Sequence, residues 1–178
     1  MTGATVVNTS TVNTSGIQTY DGEVTLGTGV IFTAGSDKLI YFKDAVHGRA
    51  GTETLEIATA DSKFDGIVDA LSTLTTGADT NINCASITTT GAQVYNGVIT
   101  VSKDTTLTAN GINYSSNISG TGKTLTIDTP DFNSTKTGEA SSITLSTLKL
   151  ARGVTLNSTT GINLNAGSIT QTDSSDFA

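Results

Sequence analysis

Tryptophan is absent from this 178-residue chain, and Pro, Met, Cys and His each occur once. Charge is also scarce: 14% of the residues are charged, against about 25% in an ordinary globular domain. Nine basic and sixteen acidic residues leave a net charge of -7 and a pI near 4.4. The chain therefore lacks the clustered Lys and Arg that nucleic acid or an anionic membrane surface requires. A single cysteine, Cys84, excludes an internal disulfide. With no His or Lys beside it in sequence, it reads as a small buried apolar residue rather than a reactive thiol. No stretch approaches the ~20 apolar residues of a membrane span, and residues 1–15 have neither the basic end nor the apolar run of a signal peptide.

What the chain does have is threonine, about a fifth of all residues, together with 19 Gly. Thr and Val suit pleated, half-buried surfaces, and good helix formers are few, so the composition reads as nearly all β. Polar and apolar residues alternate in short runs such as Glu23-Val24-Thr25-Leu26, Thr54-Leu55-Glu56-Ile57, Thr124-Leu125-Thr126-Ile127 and Val154-Thr155-Leu156. That is the period of strands with one buried face. Gly-rich and Asn-rich clusters punctuate them, among them Gly27-Thr28-Gly29, Gly48–Gly51, Gly120-Thr121-Gly122 and Asn157–Gly161.

The sequence repeats itself at two periods. Gly16-Ile17-Gln18-Thr19-Tyr20-Asp21-Gly22 returns about 75 residues later as Gly91-Ala92-Gln93-Val94-Tyr95-Asn96-Gly97. Within this long repeat, an aromatic followed by small or polar residues and an aliphatic recurs at Tyr20, Phe42, Phe64, Tyr95 and Tyr114, with a degraded copy at Phe132. The steps are 22, 22, 31, 19 and 18 residues. A step near 20 is what one turn of a three-sided β-solenoid needs, with turns about 4.8 Å apart. The expectation is one core ladder of Tyr20, Phe42, Phe64, Tyr95, Tyr114 and Phe132, with Gly22, Gly66 and Gly97 turning the corners, so that each coil buries its neighbour's apolar face. Residues 1–15 read as a polar lead-in or edge coil, 16–172 as solenoid in two long copies (about 16–90 and 91–172), and 173–178 as a tail. One segment competes: Phe64, Ile67, Val68, Leu71 and Leu74 fall at helical spacing. The matching stretch 132–148 lacks that spacing, which favours strand–turn–strand over 63–74 and leaves a short helix as the alternative.

The run Thr89-Thr90-Gly91-Ala92-Gln93-Val94-Tyr95-Asn96-Gly97-Val98-Ile99-Thr100-Val101, followed by Asp104-Thr105-Thr106-Leu107-Thr108, resembles repeats of large bacterial surface adhesins of the filamentous-haemagglutinin type. Phe64–Val68, Leu71–Leu74 and Ile87–Thr90 are similar to the same arrays. The likeness covers the chain from about residue 15. It implies a right-handed parallel β-helix on the bacterial surface, exported by a two-partner or related route and acting as stalk or adhesive fibre. The export domain of such proteins, expected at a native N-terminus, has no counterpart in these residues.

Chemistry is sparse. Asp61, Asp65 and Asp69 are the densest acids, and as strand and turn residues they would point different ways rather than hold Ca²⁺. Asp128 and Asp131 flank Pro130 as a turn rather than a catalytic pair. His47 reads as a surface loop residue. Gly120-Thr121-Gly122-Lys123-Thr124 fails the phosphate-loop spacing and reads as a bend. Asn8, Asn13, Asn113, Asn117, Asn133 and Asn157 head Asn-x-Ser/Thr sequons. No catalytic, cofactor or metal site is expected, and the chain reads as non-enzymatic. The leading expectation is a structural or adhesive segment of an extracellular or cell-surface fibre. Its partners would be further repeats, a second copy stacked end to end, or a host surface or glycan. The alternative is a carbohydrate- or ice-binding module using Thr-x-Thr rows such as 88–90, 106–108 and 124–126, and a polysaccharide-active β-helix enzyme comes last.

Overall fold

The computed structural model describes residues 1–151 and 154–171. The tail assigned to 173–178 lies outside the described residues. Those described form short parallel strands wound into about eight coils of a β-solenoid, with no helix among them. The first coil is β1 (Thr5–Val7), β2 (Thr11–Asn13) and β3 (Gln18–Tyr20), so the polar lead-in already forms strands. Then come β4 (Val24–Leu26), β5 (Val30–Thr33) and β6 (Leu39–Phe42); β7 (Val46–Gly48), β8 (Thr54–Ile57) and β9 (Asp61–Phe64); and β10 (Val68–Leu71), β11 (Thr73–Thr76) and β12 (Thr80–Ile82). The fifth coil is β13 (Ser86–Thr89), β14 (Ala92–Tyr95) and β15 (Ile99–Val101). Next are β16 (Thr105–Thr108), β17 (Gly111–Tyr114) and the long β18 (Ile118–Asp128). β19 (Asp131–Ser134), β20 (Ser141–Leu150), β21 (Thr155–Ser158) and β22 (Ile162–Gln171) complete the winding.

Each strand pairs in parallel with its counterpart one coil away, which gives three faces. β1 and β4 open the first face, β2 and β5 the second, and β3 and β6 the third. β18, β20 and β22 run through the corner from third face to first without a break, so these two faces join as one 14-stranded sheet. One inward column is aliphatic throughout. Val24, Val46, Val68, Ile87, Leu107, Ile127 and Leu150 lie in register along the first face, all buried. At about 4.8 Å per coil the eight coils rise roughly 40 Å. The narrow core between the faces is continuous from Val7 to Leu150.

The aromatic series lies on two faces, not in one ladder. Tyr20, Phe42 and Phe64 stack on the third face, with ring centroids 5.1 Å and 5.4 Å apart and planes within 11° of parallel. Phe32, on the second face, meets Tyr20 and Phe42 edge-on at 5.6 Å. The column beyond Phe64 passes to Ile82 and Val101. Tyr95 and Tyr114 instead pair on the second face. Phe132 registers with Ile112 rather than Tyr114, yet leans onto the Tyr114 ring at 4.9 Å. The 31-residue step from Phe64 to Tyr95 is thus a coil plus part of the next.

Segment 61–76 is strand throughout except at its turns. Only the Val68–Leu71 part of its helical spacing comes from a bulge, while Ile67 is exposed and Leu74 begins a new strand's core face. Ala70 has φ 51° and the register shifts between Val68 and Leu71, so both face the core although they are three apart.

Candidate functional surface

The Gln-x-Tyr pair of the long repeat shares two contacts in both copies, and Gln93 Nε2 also donates to the Ile87 carbonyl at 3.1 Å. Tyr20 Oη donates to Gln18 Oε1 at 3.0 Å, and Tyr95 Oη to Gln93 Oε1 at 3.0 Å. Each Gln Nε2 donates to a carbonyl fifteen residues on, Thr33 at 2.7 Å and Thr108 at 3.0 Å. The first pair sits on β3 and the second on β14, so the motif is a portable corner clamp between adjacent faces rather than a mark of coil register. Burial pushes the Tyr95 hydroxyl's pKa up, in keeping with a structural role.

Gly22, Gly66 and Gly97 all sit where the chain passes between faces. A Cβ on any of them would run into main chain of the preceding coil: Gly3 for Gly22, Asp44 and Ala45 for Gly66, and Ala78 and Asp79 for Gly97.

The outer surface of the third face carries the densest polar cluster. Tyr41, Lys63 and Asn81 are in register on β6, β9 and β12. Lys63 Nζ donates to Tyr41 Oη at 3.2 Å, lies over that ring at 4.4 Å, and is 3.4 Å from Asp65. Tyr41 Oη donates to Asp65, and Asn83 Nδ2 donates to the other Asp65 oxygen at 2.8 Å. Burial raises the Asp65 pKa, but the Tyr41, Asn83 and Lys63 interactions outweigh it and hold the carboxyl below its usual range. Lys43 pairs with Asp21 at 2.5 Å one coil away. Sequence reasoning passed over this cluster. Its signal was there: Asp21, Lys43 and Asp65 alternate in sign at 22-residue steps.

The three acids of 61–69 diverge. Asp61 accepts the Asp79 N–H at 3.2 Å, Asp65 joins the Tyr41 cluster, and Asp69 on the first face meets His47 Nδ1. His47 is therefore a strand residue of β7, not a loop residue. Asp128 accepts the Thr108 hydroxyl at 3.4 Å, while Asp131 begins β19. Gly120–Thr124 is an irregularity inside β18, with Gly122 at φ 74°. No group of three or more His, Cys, Asp or Glu close enough to hold a metal occurs among the described residues.

Three sequon asparagines do converge. Asn113, Asn133 and Asn157 share an outward column of the second face, with Asn133 Nδ2 donating to Asn113 Oδ1 at 3.0 Å and Asn157 Nδ2 to Asn133 Oδ1 at 2.8 Å. On the first face Ser86, Thr106 and Thr126 form one outward column, and Thr88, Thr108 and Asp128 another. These rows offer hydroxyls and amides repeated at the inter-coil spacing of about 4.8 Å.

Two titratable groups serve the fold. The buried Glu53 carboxylate accepts the Ala50 N–H at 3.0 Å and the Thr52 N–H at 3.2 Å, ordering the loop between β7 and β8. The Ala50 bond is the main cause of its lowered pKa; burial opposes it. A carboxyl with a depressed folded pKa stabilises the fold above the unfolded pKa, and that stability is lost as pH falls through the folded one. The melting-temperature gap between wild type and Glu53→Gln is therefore expected to be widest near about pH 7 and to close below the ordinary Glu range. A gap independent of pH in thermal melts would remove the carboxylate from the account. Cys84 is buried, its thiol faces the Ser86 carbonyl at 3.4 Å, and burial pushes its pKa up to about 11. A thiol reagent at mildly alkaline pH is expected to leave the native chain unmodified and to label it fully in denaturant; rapid native labelling would contradict this.

Comparison of the chain with protein-family models, with curated proteins and with solved structures gave no match.

Proposed function

We propose that the chain is a structural and adhesive segment of a bacterial cell-surface or extracellular fibre, a rigid rod that holds a flat polar surface away from its base. The observation that carries this is the unbroken inter-coil ladder. All three faces pair in parallel along the whole winding, so stiffness along the axis comes from main-chain hydrogen bonds and a continuous core rather than from a compact globule. The outward side chains are mostly uncharged Thr, Ser and Asn, which suits broad, weak, repeated contact with a host surface. Beads coated with the chain are expected to be retained under flow on glycan- or mucin-coated surfaces above the level on bare ones. Equal retention on both would overturn the adhesive half of the reading, and a globular rather than rod-like solution-scattering profile the structural half.

The Asn113–Asn133–Asn157 ladder favours a second reading, a carbohydrate-binding module. Amides repeated about every 4.8 Å present fixed donors and acceptors to a polysaccharide lying along the rod. A glycan array probed with wild type and Asn133→Ala tests it: a signal that Asn133→Ala leaves unchanged removes the ladder as its source. The ice-binding variant has less support, since Asp128 interrupts the Thr88–Thr108 column.

A further inference from the structure

Among the described residues, the first and last coils are sheet edges built without a charged side chain. Residues 1–20 contain no Asp, Glu, Lys or Arg, and neither do 154–171. Every charged side chain except Asp173 and Asp176 lies between Asp21 and Arg152. Charged residues, Lys above all, are the usual protection of a free edge against pairing with another chain. The large apolar residues left exposed concentrate at the same places. Met1, Val6 and Ile17 belong to the first coil, Leu164 and Ile169 to β22, and among the described residues only Ile31 and Ile67 join them. An apolar recess of about 420 Å³ opens at the first coil, lined by Met1, Val6, Val7, Val12 and Tyr20 among others. At the far end Leu156, Ile162 and Ala166 are only partly covered.

We propose that these two edges are partners: the first coil of one copy stacks head to tail on the last coil of another, and the ladders run on across the junction. This deepens the fibre reading and rests on it. The inward columns fit when they are continued. The column that starts at Tyr20 runs to Val101, passes Gly120, which lies between the Val101 and Leu145 side chains, and reaches Leu145 and Ala166, so the incoming Tyr20 ring lands on a methyl group. The column of Val12 ends at Ser158, again larger on smaller. That of Gln18 ends at Leu164. Outside, Thr11 shares its column with Asn113, Asn133 and Asn157, so its hydroxyl arrives over the outer carbonyl of the asparagine ladder. A coil of about twenty residues matches one side of a standard protein interface. The contact is heterologous and does not close on itself, so it makes a filament rather than a ring.

Topology adds a condition. The second and third faces carry eight strand segments each, whereas the first face carries nine, because β22 turns the corner and adds Ser168–Gln171. Coils can stack in phase only if that ninth segment gives way and the incoming β1 takes its place on Thr147–Leu150. The segment pairs on one side only, and Ser168, Ile169 and Thr170 are exposed. Such an edge is the least costly part of the fold to open. Assembly is therefore an exchange of β22's last segment for β1 of the next copy.

The test is the mass of the purified full chain by light scattering across concentration, with electron micrographs of the same samples. This readout does not depend on whether any surface is bound, so failure here and failure of adhesion are separable. Wild type is expected to form linear rods whose lengths step by roughly 40 Å. Thr170→Pro, which removes the N–H that an outward residue of this face donates back to β20 without shortening the chain, is expected to raise the assembled fraction several-fold. Val12→Asp at one end and Ala166→Lys at the other should each lower it about tenfold with unchanged circular dichroism. Mixed together, they should give heterodimers and nothing longer, since each keeps one good end. If Val12→Asp does not fold, Ala166→Lys alone decides. A monomer mass at every concentration for both wild type and Thr170→Pro would overturn the proposal. So would rods that persist in Ala166→Lys, and a Thr170→Pro variant no better assembled than wild type would overturn the strand exchange.

Discussion

Phe42→Ala is expected to lower the unfolding free energy by about 3–5 kcal/mol, seen as an earlier midpoint in guanidinium unfolding followed by circular dichroism. Phe42 has no solvent exposure and lies between the Tyr20 and Phe64 rings, with Phe32 edge-on against it. Truncation removes the middle of a three-ring stack. The hole cannot collapse readily, because inter-coil hydrogen bonds such as Lys43 N–H to the Tyr20 carbonyl and Asp65 N–H to the Phe42 carbonyl fix the spacing on both sides. Tyr41 is the internal comparison. It is adjacent in sequence but points outward, where it touches Lys63 and Asp65. Such half-exposed contacts are worth about 1 kcal/mol or less, so Tyr41→Ala should shift the midpoint far less. If the two variants unfold together, the ring stack is not what holds the first three coils.

The reason the solenoid could be read from sequence, while its ladders could not, lies in coil length. Alternation in Val24-Thr25-Leu26 and recurrence near twenty residues are enough to specify short strands that stack, because each inward position needs an aliphatic or aromatic above and below. Assigning a residue to a face needs more. Val30 and Leu55 are in register 25 residues apart, because the loop ordered by Glu53 lengthens that coil. Phe64 and Ile82 are in register only 18 apart. One face accounts for about seven residues, the same size as this variation. A Tyr at position 95 is therefore equally compatible, by spacing, with Phe64's column and with the face before it. The repeated Gln-x-Tyr motif does not break the tie, since its hydrogen bonds reach only the neighbouring face and work equally on β3 and β14.

The polar surface was hidden for a different reason. The Tyr41–Lys63–Asp65–Asn83 cluster is assembled across three coils, and no two of its members other than Lys63 and Asp65 are near each other in sequence. The Asn113–Asn133–Asn157 ladder was visible only as scattered sequons until register put the three on one column. Spacing does carry the information, but only once the coil length at that level is known. Ala70 shows the limit in the other direction: one residue at φ 51° in β10 turns a strand's period of two into a local spacing of three, which imitates a helix until the stretch is set against its repeat partner at 132–148.

Gly66→Ala should be nearly as damaging as the core truncation, at about 3–5 kcal/mol, combining overpacking with one or two strained main-chain hydrogen bonds. The cost is steric rather than conformational, since Gly66 is not among the residues with positive φ. A Cβ there would lie 2.5 Å from the Asp44 carbonyl oxygen and closer still to the Asp44 carbonyl carbon and the Ala45 nitrogen. These are main-chain atoms of the neighbouring coil and cannot rotate away. The corner must open, and the flanking bonds from Asp65 N–H to the Phe42 carbonyl at 2.9 Å and from Val46 N–H to the Ile67 carbonyl at 2.9 Å must stretch with it. Gly97→Ala meets the main chain of Ala78 and Asp79 in the same way and should cost a similar amount. Gly22→Ala meets Gly3, which belongs to the end coil and can yield outward, so its cost should be smaller. Gly111 has nothing within 4 Å of the added carbon; there the restriction of the unfolded chain makes Ala neutral or stabilising by about 0.4–1 kcal/mol. The expected order of guanidinium midpoints is Gly111→Ala highest, then Gly22→Ala, with Gly66→Ala and Gly97→Ala lowest. A Gly66→Ala midpoint level with that of Gly111→Ala would mean that the coils can part at this corner without loss, and the close stacking of corners would then not be a determinant of the fold.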